Sequence, residues 1–178
     1  ALKTDLIVSL GDLVGYGPNP SEVLDSTYTH IHYFILGNHE AALCDKIDSS
    51  QFNSIAQKSL RWTRDRLGKN AFDFFTRLPL SLAAAPFRCV HGDFKEPGCF
   101  NYILEPSDAL ASWSAASETL LFVGHTHCPA LFLLGSSGTP HRVDAQDFVQ
   151  EPGKRYLVNV GSVGSPRVCR LPCRSRRS

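Results

Sequence analysis

Hydrophobic residues along the chain form short runs that stop at residues able to bind a metal ion. Four of these runs are rich in Val, Ile, Leu and Phe, and a glycine lies next to the polar residue that follows each one. Such runs predict buried strands of an α/β protein. The runs are 5–10 before Gly11-Asp12, 31–36 before Gly37-Asn38-His39-Glu40, 87–90 before His91-Gly92-Asp93, and 120–123 before Gly124-His125-Thr126-His127.

The segments between these runs predict helices and a hairpin. Ser21 is a candidate N-cap for the first helix, and the phenylalanines of the fourth helix predict core packing rather than a ligand-binding group. Alternation of strands and helices indicates an α/β layered domain with helices outside the sheet. The predicted helices are 21–28, 40–44, 52–67, 70–78 and 108–115; the hairpin pairs 130–134 with 141–143, and a last strand covers 156–160.

Composition restricts the class of protein further. The chain has 178 residues and 43% hydrophobic content, which suits one domain, assigned to residues 1–167, with a real core. A net charge of +1 produces no strong overall electrostatic attraction to nucleic acid or to an anionic membrane. No apolar stretch in the sequence is long enough to predict a membrane span, and the first residues show no signal-peptide pattern. The six scattered cysteines favour free thiols in a reducing compartment, so we expect a cytoplasmic protein.

The last residues differ from the rest of the chain. Residues 168–178 are rich in arginine and predict a solvated, disordered basic tail. An anion or nucleic-acid contact is the alternative. Cys169 and Cys173 could share a zinc ion with partners that the sequence does not identify, but one cysteine pair is weak support.

The polar residues after the four runs predict a metal site. Ligands of open α/β sheets bind beyond the carboxyl ends of the strands, so strands lying side by side would bring these residues together. Carboxylate, amide oxygen and imidazole suit Mn, Fe or Zn. Each motif alone is weak, because a lone Gly-Asp is usually a turn, but four in this order are specific. The predicted ligands are Asp12, Asn38, His91, His125 and His127.

The same motifs, in the same order, resemble those of the calcineurin-like metallophosphoesterases. The segments 11–18 and 159–167 are similar to those of the small bacterial and archaeal branch of this family. The resemblance covers nearly the whole chain to Arg167. It implies a four-layer αββα sandwich of two mixed sheets flanked by helices. It also implies a site for two divalent metal ions, Mn, Fe or Zn, at the strand ends.

The resemblance also implies roles for individual residues. Asp12 would bridge two ions, with Asn38, His91 and His125 completing the second site and His127 serving the first. His39 would contact the phosphate and protonate the leaving oxygen, with Glu40 near it as support. The alternative is that His39 only hydrogen-bonds to groups around the metals. Substrate-binding candidates are Asn38, His39 and, at the rim, Arg167, with 15–20 and 95–102 as further rim segments.

One departure from the family pattern concerns the first metal. The family begins with an Asp-x-His motif on an earlier strand, which supplies two ligands. Asp5 is the only carboxylate before Asp12, and no histidine follows it at the right spacing. The first site therefore keeps only Asp12 and His127, so a single bound ion is the alternative to two. Either a longer polypeptide precedes Ala1, which the absent starting methionine favours, or this version is impaired.

The expected function is hydrolysis of a phosphomonoester or phosphodiester by a metal-activated water, with a phosphate ester as the only implied partner. The alternative is a catalytically impaired scaffold or binding protein of the same fold. A nucleophilic hydrolase is not supported, because Gly161-Ser162-Val163-Gly164 lacks the Gly-x-Ser-x-Gly pattern. A phosphate-binding loop is also absent from the sequence, since no Gly-Lys-Ser/Thr follows a strand.

Overall fold

The computed structural model describes residues 4–143 and 149–167, which form strands in two sheets with helices around them. The tail predicted at 168–178 lies outside the described residues. The strands are β1 (Val8–Ser9), β2 (Tyr33–Phe34), β3 (Ser81–Ala84), β4 (Phe87–Val90), β5 (Leu120–Val123), β6 (Ala130–Leu134), β7 (Pro140–Val143) and β8 (Arg155–Asn159). The helices are α1 (Pro20–His30), α2 (Asn38–Leu43), α3 (Ser54–Arg64), α4 (Lys69–Arg77) and α5 (Pro106–Ala115).

The strands before the four motifs are divided between the two sheets. Strands β1 and β2 pair in parallel in a two-stranded sheet. Strands β4 and β5 pair in parallel as the second and third strands of a six-stranded mixed sheet of order β3-β4-β5-β8-β6-β7. The four strands therefore do not all lie side by side, and they belong to two sheets, as the resemblance implies. The motifs still meet, because the carboxyl end of β1 lies close to those of β4 and β5.

Two hydrophobic cores hold the helices in place. Trp113 of α5 packs with Phe132 and Leu157 of the six-stranded sheet, and all three are buried. Helices α1 to α4 pack on one another in a second core, which includes Leu43 and Phe75. Burying these apolar faces gives the layered α/β arrangement that the sequence predicts.

Element boundaries differ from the predictions where local chemistry is subtle. Helix α1 follows Asn19 rather than Ser21, because Pro20 fits the first helical position. In α3, which begins after the predicted start at residue 52, the Asn53 side chain caps the helix by accepting a hydrogen bond from the Ala56 amide. Strand β3 has no counterpart among the predictions, because its Ser-Leu-Ala-Ala sequence lacks the β-branched residues typical of strands.

The expectations drawn from composition have mixed outcomes. Cys44, Cys89 and Cys99 are free, as expected, but Cys128 is disulfide-bonded, so the prediction of free thiols fails there. Across the described ranges, the structure contains no helix with the length and apolar character needed to cross a bilayer.

Candidate metal centre

The ligand-type residues of the four motifs converge where the two sheets meet. Asp12, His91 and His125 each place one ligand atom within 4.8 Å of the others. The side-chain oxygen of Asn38 lies 3.0 Å from His91 Nε2. His127 stands slightly apart, with its Nε2 3.8 Å from Asp12 Oδ2. All five predicted ligands therefore surround one point, with His127 approaching the Asp12 carboxylate outside the compact trio.

The backbone is turned sharply at three of these residues. Asp12, His125 and His127 have φ angles of 56°, 64° and 62°, in the left-handed region that residues other than glycine rarely adopt. Such conformations cost about 1–3 kcal/mol each and are found mainly at functional sites. At Gly11, a Cβ atom would lie only 2.5 Å from the Gly37 backbone, so the loops after β1 and β2 need glycine to approach so closely.

Backbone carbonyls hold two of the histidines. His91 Nδ1 donates a hydrogen bond to the Leu10 carbonyl at 2.6 Å, and His127 Nδ1 donates to the Ser165 carbonyl at 3.0 Å. A carbonyl oxygen only accepts, so each Nδ1 carries the proton. Each Nε2 is then left with its lone pair toward Asp12 when the ring is neutral, which is the usual arrangement for a metal-binding histidine.

His125 is held differently. Its Nδ1 faces His91 Nε2 at 3.1 Å, so the ring enters the cluster through the opposite nitrogen from His91. The Tyr102 ring stacks on it, with centroids 4.2 Å apart and an angle of 10° between the planes. The aromatic stack orients the imidazole of His125, as the carbonyls orient those of His91 and His127.

The surroundings of Asn38 test whether a cation fits. Its inward-facing side-chain atom lies 3.2 Å from both Asp12 oxygens and 3.0 Å from both His91 Nε2 and His125 Nδ1. With the oxygen inward, it meets only acceptors, an arrangement that repels unless a positive charge lies among them. With the amide turned, its nitrogen would instead donate to them. The donor set of carboxylate, amide and imidazoles thus fits a divalent cation.

The ionisation of the cluster also favours positive charge at this point. Burial opposes charge on Asp12, but His91 and His39 outweigh it and hold the pKa of Asp12 well below its usual range. Burial likewise opposes charge on His91, but the nearby Asp12 carboxylate outweighs it and raises the pKa of His91. Burial, reinforced by His91, lowers the pKa of His125 to about 3. Asp12 is therefore an anion and His125 a neutral base at neutral pH, as metal binding requires.

The Glu40 side chain joins the loops that follow β1 and β2. Its side chain is fully buried and accepts hydrogen bonds from the backbone amides of Gly37 at 3.2 Å, Asp12 at 2.9 Å and Val14 at 3.2 Å. Burial, and then the charge of Asp12, raises the pKa of Glu40. These bonds fix the backbone on either side of the ligand carboxylate.

His39 lies beside the cluster in an aromatic enclosure. Its ring contacts Tyr16 at 4.8 Å and Phe52 at 5.7 Å between centroids, and a Cβ atom at Gly15 would overlap its Nδ1. The buried Nδ1 has no hydrogen-bond partner among the described residues; the Val14 carbonyl is near but outside hydrogen-bonding geometry. Burial lowers the pKa of His39, so its imidazole is neutral more readily than usual.

A cavity of about 600 Å³ opens over the cluster and over His39. Arg167, the predicted rim residue, lies on its wall, as do parts of both predicted rim segments. Sequence reasoning did not identify Phe52 or Asn53 as wall residues, because the helical pattern around them explains their composition equally well. Further residues on the wall are Tyr16, Ile47, Asp48, Gln51, Ala56, Gly98, Cys99, Phe100 and Tyr102.

The family of the chain follows from comparison with known proteins. The model of the calcineurin-like phosphoesterase family matches residues 1–159. The chain belongs to this family of metal-dependent phosphoesterases. Its members bind divalent metal ions, and Asp12, His91 and His125 form a group able to hold one here.

A curated relative matches most of the chain. The uncharacterized protein MJ0912 of Methanocaldococcus jannaschii is 29% identical over 166 residues, which are 90% of this chain and 65% of that protein. The chain thus spans just under two thirds of the length of this curated relative.

Solved structures confirm the fold. A metallophosphoesterase from Sphaerobacter thermophilus superposes with a TM-score of 0.75 at 30% identity, covering 93% of this chain and 69% of that one. The hypothetical protein PH1004 from Pyrococcus horikoshii OT3 has a TM-score of 0.64 at 18% identity, covering 91% and 65%, and shares the fold. The metallophosphoesterase fold predicted from the motifs is therefore confirmed.

Proposed function

We propose that the protein hydrolyses a phosphomonoester or phosphodiester with the help of divalent metal ions. The observation that carries this proposal is the convergence of Asp12, His91 and His125, whose ligand atoms lie within 4.8 Å of one another. Phosphate-ester hydrolysis is the chemistry that such ions support. When bound, they would lower the pKa of a water molecule and neutralise charge on the phosphate oxygens.

The ligands divide into two groups. Asn38, His91 and His125 would hold one ion together with Asp12, and His127, whose Nε2 lies 3.8 Å from Asp12 Oδ2, would serve a second position. In a dinuclear site Asp12 would bridge the two. Mn, Fe and Zn all accept this mixture of oxygen and nitrogen ligands.

His39 would supply the proton that the leaving group needs. Its ring lines the cavity beside Asp12 but belongs to no metal-binding group among the described residues, and its buried Nδ1 has no partner there. Burial lowers the pKa of His39, which makes its protonated form less populated but a stronger acid. That form would donate to the ester oxygen as the bond to phosphorus breaks, so that an alcohol leaves rather than an alkoxide. Glu40 would act as a positioning residue, since its carboxylate contacts backbone amides and does not line the cavity.

Arg167 would bind the substrate phosphate from the rim. It lines the same cavity as Tyr16, whose ring in turn touches His39. A guanidinium presents several donors in a fixed plane that matches phosphate oxygens.

Turnover of bis-p-nitrophenyl phosphate tests the proposal. The protein is treated with EDTA, dialysed, and assayed with and without added Mn²⁺. The proposal predicts release of p-nitrophenol that disappears with EDTA and returns with Mn²⁺. An absence of metal-dependent turnover toward this ester and p-nitrophenyl phosphate would contradict it and favour a binding or scaffold role.

A further inference from the structure

Two tyrosines flank the candidate metal centre at the mouth of the cavity. The Tyr102 ring stacks in parallel on His125, with ring centroids 4.2 Å apart. The Tyr16 ring packs against His39 in a tilted arrangement, with ring centroids 4.8 Å apart. Both line the cavity, and they are 52% and 39% exposed, respectively. Large aromatic rings exposed together beside a polar cluster are a common feature of ligand sites.

Tyr102 is presented by a firmly packed loop. The Asp93 carboxylate accepts hydrogen bonds from the backbone amides of Lys95 at 2.7 Å and Glu96 at 2.9 Å, which fixes the start of the loop. Further on, Phe100 is buried with a left-handed φ of 53°. The loop packs so closely on Gly92 that a Cβ atom there would lie 2.9 Å from the Phe100 backbone. Tyr102 is therefore a preorganised surface next to His125.

The charged and aromatic groups surround one opening. The pKa of Tyr16 is raised mainly by burial, then lowered by Arg167 and raised again by Asp12 and Tyr102. These groups are thus near enough to influence the Tyr16 hydroxyl. A substrate whose phosphate lies at Asp12 would extend past Tyr16 and Tyr102.

Resting on the function proposed above, we propose that the substrate is a phosphate ester of a nucleoside, with its base stacked on Tyr102. The volume of about 600 Å³ is that of a cavity for a whole small molecule rather than for a phosphate group alone. A nucleoside places its planar base one sugar away from the phosphate, which suits a platform lying beyond the His125 ring. Gln51, on the same wall, offers an amide donor and acceptor to a base edge.

Two esters with the same leaving group test this inference. Thymidine 5′-(p-nitrophenyl phosphate) and methyl p-nitrophenyl phosphate differ only in the group that would contact Tyr102. Because aromatic stacking of one base contributes about 1–3 kcal/mol, we expect kcat/KM to favour the thymidine ester about tenfold or more. Tyr102→Leu should abolish this ratio, and Tyr102→Phe should keep it. Tyr33→Leu removes a tyrosine of matched exposure, 51%, in β2 and should leave the ratio unchanged.

Binding measurements separate this inference from the proposed function. Calorimetry of the Mn²⁺-supplemented protein would compare thymidine 5′-monophosphate with methyl phosphate. A preference of about tenfold for the nucleotide that Tyr102→Leu removes supports the inference, even if neither ester is hydrolysed. Equal affinity in the wild type overturns it. So does a Tyr102→Leu variant that weakens both ligands and Mn²⁺ binding equally, because Tyr102 would then act only by holding His125.

Discussion

The Glu40 carboxylate accepts a hydrogen bond from the backbone amide of Asp12 at 2.9 Å, although 28 residues separate them in sequence. It also accepts from Val14 and Gly37, so one buried side chain joins the loops after β1 and β2. Both loops carry candidate metal ligands, Asp12 on the first and Asn38 directly after Gly37. The position of the ligands therefore depends on a residue that does not face the cavity.

Removing this support should destabilise the fold. Glu40→Ala would leave three backbone amides without their acceptor, and a buried donor left unsatisfied costs about 1–3 kcal/mol. We expect the free energy of unfolding to fall by about 3 kcal/mol or more, measured by urea denaturation. Glu40→Gln keeps one oxygen and should cost less. Glu151→Ala, at an exposed surface pair with Lys154, is the control and should change stability by at most about 0.5 kcal/mol. Equal effects of Glu40→Ala and Glu151→Ala would contradict the positioning role.

His39→Ala should separate metal binding from turnover. The His39 imidazole is outside the ligand group, so metal content measured by mass spectrometry should match the wild type. General-acid catalysis typically contributes about 10²–10⁴-fold, so kcat should fall by that amount with an alkyl leaving group. The loss should be smaller with p-nitrophenolate, which leaves without a proton. His141→Ala, at an exposed residue of β7, should retain the wild-type rate. A His39→Ala variant with an unchanged rate on alkyl esters would remove His39 from the mechanism.

Asp12→Asn should lose both metal and rate. The carboxylate contacts His91 and His127 and supplies the only negative charge in the ligand group, and an amide cannot replace it. Metal content after dialysis should drop to background, and metal-dependent turnover should disappear with it. Asp25→Asn, at an exposed residue of α1, is the matched control and should keep both. Wild-type metal content in Asp12→Asn would refute a bridging role for this carboxylate.

Two glycines of one loop form a natural pair of variants. Gly15 and Gly17 have φ angles of 110° and 86°, so both disfavour alanine through backbone strain. Only at Gly15 would the added methyl group overlap His39, whereas nothing lies within 4 Å at Gly17. Gly15→Ala should therefore lower kcat by about 10²-fold through displacement of His39, with metal content unchanged. Gly17→Ala should keep most of the activity. Similar kcat values for the two variants would show that the His39 position is unimportant.

The sequence predicted the candidate ligands because their side-chain types follow strands directly. Asp12, Asn38, His91 and His125 all lie just after a hydrophobic run, and carboxyl ends of strands gather at one edge. Hydrophobic runs do not determine strand partners, so the runs alone do not divide these strands between two sheets; the two sheets are implied only by the resemblance to the family. Strand β3 was missed for the related reason that it has no strongly strand-forming residues.

The supporting contacts were beyond sequence reasoning. The carbonyls of Leu10 and Ser165, which orient His91 and His127, exist at every residue and leave no pattern in the sequence. The stack of Tyr102 on His125 joins positions 23 residues apart, counted from their numbers, with no periodicity to indicate it. Such contacts depend on tertiary packing.

Anomalous X-ray scattering from crystals grown with Mn²⁺ or Zn²⁺ tests the central claim most directly. The ligand geometry predicts an anomalous peak at about 2.0–2.2 Å from Asp12, His91 Nε2 and His125 Nδ1, the usual distance for such bonds. A second bound ion would give a further peak next to His127 Nε2, which lies 3.8 Å from Asp12 Oδ2. Data at the metal absorption edge with no peak at Asp12, or with peaks bound only by other residues, would contradict the claim that these side chains form a metal centre.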